Sequence, residues 1–86
     1  MIKQVAVIGA GIMGHSIAEV FALNGYKVNL EDFYPEVIEK AKVGINNSLD
    51  KLIASKKIDE NGKKTALENI KFFNNIEEAV KAIDRI

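Results

Sequence analysis

The chain has 86 residues, 48% hydrophobic and 28% charged, with twelve basic residues balanced by twelve acidic ones. That length holds a single domain with a thin core, burying about 60–65% of the surface it exposes when unfolded, and the composition excludes disorder. Zero formal net charge gives no ground for nucleic acid or an anionic membrane as partner, and the absence of cysteine removes disulfides and thiolate metal sites.

Residues 2–8, IKQVAVI, are rich in β-branched residues and end in a nearly continuous apolar run, the pattern of a parallel strand buried on both faces. From Ile12 the period lengthens. Met13, Ile17, Ala18 and Val20 or Phe21 recur at spacings of three and four, which predicts an amphipathic helix of about three turns. Asn24-Gly25 ends it, with Gly25 suited to the left-handed position past a helix. YKVNLED, residues 26–32, reads as a second short strand.

Pro35 suits the first turn of a second helix. Ile38, Ala41, Ile45, Leu49 and Leu52 form its buried stripe as far as Lys56. Gly44 is its weak spot, costing about 1 kcal/mol against alanine. The polar stretch KKIDENGKK follows, with a turn expected at Asn61-Gly62 and a short helix over 64–69. IKFFN predicts a third strand and IEEAVKAI a third short helix, and AIDRI stands where a fourth strand would begin. Strand–helix alternation of this kind points to an α/β fold with a parallel, doubly wound sheet. The N-terminus shows no secretory h-region, and no apolar run reaches the roughly 18 residues of a membrane span. The cytoplasm is the expected compartment.

Gly9, Gly11 and Gly14 form a Gly-x-Gly-x-x-Gly that directly follows the first strand and opens the first helix. Asp32 ends the next strand. That context, more than the glycines alone, meets the conditions for a dinucleotide-binding turn. Gly9 permits a tight exit from the strand. A side chain at Gly11 would fill the space a pyrophosphate needs, and Gly14 lets the helix pack closely on the sheet. The backbone bends at Ala10, and the free N–H groups of Ile12 and Met13 face the phosphates at the positive end of the helix dipole. Asp32 is expected to accept hydrogen bonds from the adenosine ribose hydroxyls and to repel a 2′-phosphate, favouring NAD over NADP. Glu31 competes for that role, but strand alternation points it away.

VAVIGAGIMGHSIAEVFALNGYKVNLED followed by PEVIEKAKVGINNSLDKLIASKKI resembles the start of 3-hydroxyacyl-CoA dehydrogenases, including 3-hydroxybutyryl-CoA dehydrogenases. GAG-x-MG, V-x-L-x-D, the A-x-x-G-I of residues 41–45 and S-L-x-K of residues 48–51 carry the likeness, most specifically within the first fifty residues. The resemblance implies an NAD-dependent oxidation of a (3S)-hydroxyacyl-CoA in fatty-acid metabolism. It also implies that the long second helix contributes to the acyl-CoA surface. It places Ser48 at a CoA contact, although a hydroxyl there can equally bond back to the carbonyl of Gly44. The family's lysine falls at Ser55 by strict count, and the resemblance then implies the adjacent Lys56 in that role. Lys57, Lys63 and Lys64 either steer CoA phosphates or form a solvated turn. The family's catalytic histidine and its glutamate lie beyond residue 86. His15 is expected to be a partly exposed helix residue near the phosphates and not the base, so no catalytic residue and no metal site is expected.

The expectation is therefore a partial Rossmann fold, the first βαβαβ half only, at the N-terminus of a longer enzyme that dimerises through a helical C-terminal domain. The isolated piece is expected to be inactive, with an unpaired edge on its first strand. Two alternatives remain open. One is a dehydrogenase of the 3-hydroxyisobutyrate or 6-phosphogluconate type, against which Asp32 and the long second helix argue. The other is a small non-catalytic nucleotide-binding module.

Overall fold

Alternate residues of a strand face opposite sides of a sheet, and that period assembles the core. In the computed structural model, which describes residues 3–81, β1 (Gln4–Ile8), β2 (Lys27–Glu31) and β3 (Ile70–Phe73) form one parallel sheet in the order β1-β2-β3. The register sets Val5 against Val28, Val7 against Leu30, and Leu30 against Phe72. These residues share the face covered by α1 (Ile12–Leu23), α2 (Pro35–Ala54) and α3 (Glu60–Glu68), where Ala18, Ala22, Ala41, Ile45, Leu49 and Ala66 complete the core. Asn29 and Glu31 turn to the other face. There Asn29 Nδ2 donates to the carbonyl of Ala79, at 2.8 Å, in α4 (Ile76–Lys81). The expected α/β, partial Rossmann architecture is what the chain adopts.

Burial within the sheet differs from the sequence pattern. β1, read as buried on both faces, lies at one end of the sheet order; its Gln4–Val7 are half-buried and Ile8 is 51% exposed. No strand pairs with its outer edge among the described residues. β2, flanked on both sides, is the strand with four of its five residues buried.

α1 also presents a different face from the one expected. Ala18 is buried as anticipated and Phe21 packs against the core, but Met13, Ile17 and Val20 are 78%, 43% and 59% exposed. The helix is apolar nearly all round, so periodicity cannot choose its inner face. Close approach to the strand exit chooses it instead, turning the small residues Gly14, Ala18 and Ala22 inward. Glu19 is buried with them. The helix ends as expected at Asn24, and Gly25 takes φ +88°.

The turn expected at Asn61-Gly62 is not one. α3 starts earlier, at Glu60, because the Asp59 carboxylate caps it by accepting from the Gly62 N–H at 2.8 Å. Asn61 and Gly62 are therefore its second and third residues, and it spans 60–68 instead of 64–69. α2 ends at Ala54, two residues before the expected Lys56. Lys56 adopts φ +60°, and its N–H and that of Lys57 donate to the carbonyls of Ile53 and Leu52. Those two bonds make a Schellman motif whose left-handed position, usually glycine, is held by lysine. Ile2, the end of the IEEAVKAI helix and the start of a fourth strand at AIDRI lie outside the described residues.

Candidate dinucleotide site at the end of the first two strands

The site is built where β1 runs into α1. Gly9 leaves the strand at φ +96°, a left-handed conformation that glycine adopts without a Cβ penalty. Its N–H donates to the Glu31 carbonyl at 2.7 Å, tying the turn to the end of β2. Gly14 lies directly beneath. A Cβ added there would sit 1.8 Å from the Gly9 carbonyl oxygen, so the helix can approach this closely only with glycine. Gly11 is the opposite case, exposed and with nothing within 4 Å of its would-be Cβ. Open space at Gly11 and none at Gly14 is the division of labour expected of the fingerprint.

Gly11 is the helix N-cap without a side-chain cap, and the first helical bond runs from His15 N–H to the Gly11 carbonyl at 2.9 Å. No acceptor within the described residues serves the N–H groups of Ile12 and Met13. Both residues are largely exposed. Uncapped N–H groups at a helix N-terminus form a ready anion site.

Asp32 completes the turn. Its Oδ2 accepts from the Ala10 N–H and its Oδ1 from the Tyr34 N–H, both at 2.9 Å. The carboxylate is thus held by backbone on both oxygens, while each oxygen keeps a lone pair for a further donor such as a sugar hydroxyl. Ala10 itself is 1% exposed. Glu31, the competing acid, is buried on the opposite face and offers the turn only its backbone carbonyl. The residues present fit a diphosphate followed by a ribose.

His15 is half-buried and turned toward α2. Its Nδ1 lies 3.2 Å from the Ala10 carbonyl oxygen, and a Cβ on Gly44 would come within 2.8 Å of Nε2. With Nδ1 beside the Ala10 carbonyl and Nε2 packed close against Gly44, the ring is unlike a free base. One turn further along both helices, Ser48 Oγ donates to Glu19 Oε2 at 2.8 Å. Ser48 therefore makes neither a back-bond to Gly44 nor an idle surface hydroxyl; its proton is committed to a carboxylate on α1. Sequence reading missed Glu19 as its partner. The available signal was an acid in an apolar helix, four residues after His15 and facing Gly44 and Ser48 at the same spacing on α2.

Lys56 and Lys57 are exposed at the α2–α3 turn, beside an open groove of about 700 Å³ that Ile53, Ile58 and Asp59 also line. Lys63 is not free to steer a ligand, since its Nζ pairs with Asp50 Oδ1 at 2.6 Å. The structure thus gathers Gly9, Ala10, Gly11, Ile12, Met13, Gly14 and Asp32 at one turn. Ser48 sits on the α1–α2 seam, and Lys56 lies beyond the far end of α2. No described helix is long and apolar enough to cross a membrane.

A parallel β1-α1-β2 unit with this turn defines half of a Rossmann dinucleotide-binding domain. Residues 4–86 match the family described as 3-hydroxyacyl-CoA dehydrogenase, NAD binding domain, and the chain belongs to that family. A probable 3-hydroxyacyl-CoA dehydrogenase of Caenorhabditis elegans is 37% identical over 90 residues, covering 99% of this chain and 29% of the relative. The mitochondrial hydroxyacyl-coenzyme A dehydrogenase of Mus musculus is 48% identical over 63 residues, covering 73% of this chain and 20% of the relative. In structure, the chain is similar to (S)-3-hydroxybutyryl-CoA dehydrogenase from Ralstonia eutropha, with a TM-score of 0.91 and 34% identity, over 98% of this chain and 29% of that one. The chain spans less than a third of the length of these relatives.

Proposed function

We propose that this chain holds the ADP half of NAD for a dehydrogenase acting on (3S)-3-hydroxyacyl-CoA. The turn from Gly9 to Gly14 receives the diphosphate on the Ile12 and Met13 amides, and Asp32 receives the ribose. The observation that carries this reading is the fixed Asp32 carboxylate. Its charge sits where a 2′-phosphate would be repelled, and its two backbone bonds prevent it from swinging away.

When bound, NAD supplies the acceptor for the hydride that leaves C3 of the substrate. The hydroxyl proton goes to a base that this reading assigns to a segment beyond the chain, because His15 Nδ1 is engaged with the Ala10 carbonyl and its Nε2 packs against Gly44. The chain alone is then a binder without dehydrogenase activity. Ser48 and Lys56 are proposed to contact CoA. With its proton on Glu19, Ser48 presents lone pairs outward and so suits an N–H donor of the ligand better than a phosphate. Homodimerisation of the whole enzyme is assigned to its C-terminal domain.

Calorimetric titration with NAD, NADP and AMP tests the proposal. NAD and AMP should bind the 86-residue chain, and NADP should bind more weakly than NAD. Undetectable binding of NAD and AMP at millimolar ligand overturns it.

A further inference from the structure

We infer that His15 is a positioning residue for the phosphate-binding turn, held in place by the missing side chain at Gly44. The inference rests on the cofactor reading above and goes beyond it.

Three observations meet at Ala10. Its N–H is fixed by Asp32 Oδ2 at 2.9 Å, its carbonyl lies 3.2 Å from His15 Nδ1, and its side chain is buried. The peptide units on both sides of Ala10 are therefore anchored, one by Asp32 just past β2 and the other by α1 through His15. A carbonyl only accepts, so Nδ1 must carry the proton. In a neutral ring that fixes the Nδ1–H tautomer, since the bond made by one ring nitrogen decides where the proton sits. Orienting the Ala10 carbonyl toward His15 also orients the following peptide, whose N–H belongs to Gly11, at the mouth of the turn.

Gly44 explains why the ring stays. It lies within α2, where alanine would favour the helix. Yet an alanine Cβ would come to 2.8 Å from His15 Nε2 and 3.3 Å from Cε1. The ring, not the helix backbone, is what would yield. The glycine is thus a cost to α2 that makes room for the imidazole bridging α2 and the turn. His15 on α1 and Gly44 on α2 couple the helix proposed to face CoA with the loop proposed to hold the dinucleotide.

The test uses ADP-ribose titration of the 86-residue chain beside thermal melts. His15→Ala should weaken ADP-ribose about three- to tenfold, the worth of one hydrogen bond. His15→Asn, whose amide nitrogen falls near the place of Nδ1, should restore the affinity. Gly44→Ala should keep or raise the melting temperature while lowering affinity, a combination that a purely structural role does not produce. In the His15→Asn background, Gly44→Ala should cost no affinity. Unchanged affinity in both His15→Ala and Gly44→Ala overturns the inference. Should the unmodified chain not bind ADP-ribose, the cofactor reading falls by itself. The ring is then judged from its nitrogen-15 shifts at alkaline pH: an Nδ1–H tautomer sustains the strut and an Nε2–H tautomer refutes it.

Discussion

Replacing Gly14 and Gly11 separately by alanine should divide stability from binding within one six-residue turn. At Gly14 the new Cβ lies 1.8 Å from the Gly9 carbonyl oxygen and 2.9 Å from its carbon, against a floor of 3.0 Å for real contacts. Relief requires α1 and the β1 exit to separate by more than an ångström. Gly9 cannot drift freely, since its N–H is bonded to Glu31 at 2.7 Å. Overpacking against fixed backbone of this kind costs about 3 kcal/mol or more. A chain of this size has roughly 4–13 kcal/mol of stability in all, and each kcal/mol moves its melting point by about 4–8 °C. Gly14→Ala should therefore melt about 12–24 °C lower, or fail to fold at the upper end of the cost. Gly11→Ala meets no atom within 4 Å and keeps an ordinary φ of −63°. Its loss as an N-cap and its gain from a stiffer unfolded chain offset to within about 1 kcal/mol. Its methyl group nevertheless occupies the diphosphate space, so affinity for ADP-ribose should fall at least tenfold, about 1.4 kcal/mol. Circular-dichroism melts and calorimetric titrations of both variants supply the comparison. A Gly14→Ala chain melting within about 4 °C of the original, or a Gly11→Ala chain that binds unchanged, refutes the reasoning.

Three further outcomes are expected. Asp32→Asn leaves the Ala10 or the Tyr34 N–H facing an amide group in place of a carboxylate oxygen, costing about 1–3 kcal/mol in urea unfolding, and titration should show the preference for NAD over NADP reduced. Asp59→Ala removes the acceptor of the Gly62 N–H, and the melt should report a loss of about 1 kcal/mol. Lys56→Gly relieves a left-handed lysine and should gain about 0.5–1 kcal/mol after allowance for the looser unfolded chain, read as a higher melting temperature.

The dinucleotide turn was legible because its requirements are local. Gly9, Gly14 and Asp32 each answer to a backbone constraint within one β-α-β unit, Gly11 leaves open space at its mouth, and strand–helix alternation was enough to imply the parallel sheet. The α3 start was obscured because Asn61-Gly62 is a strong turn signal, and only the Asp59 cap overrides it. The end of α2 was hidden because a lysine occupies the position glycine usually marks.

What the residues determined by themselves was the order of elements and the backbone shape of the turn, since both depend on short-range periodicity and on the steric freedom of particular glycines. Only the tertiary structure decided which face of α1 is buried, that Ser48 spends its proton on Glu19, and that Gly44 is a seat for His15. Those outcomes depend on which surfaces of two helices meet, and an apolar helix or a lone glycine carries no local sign of its distant neighbour.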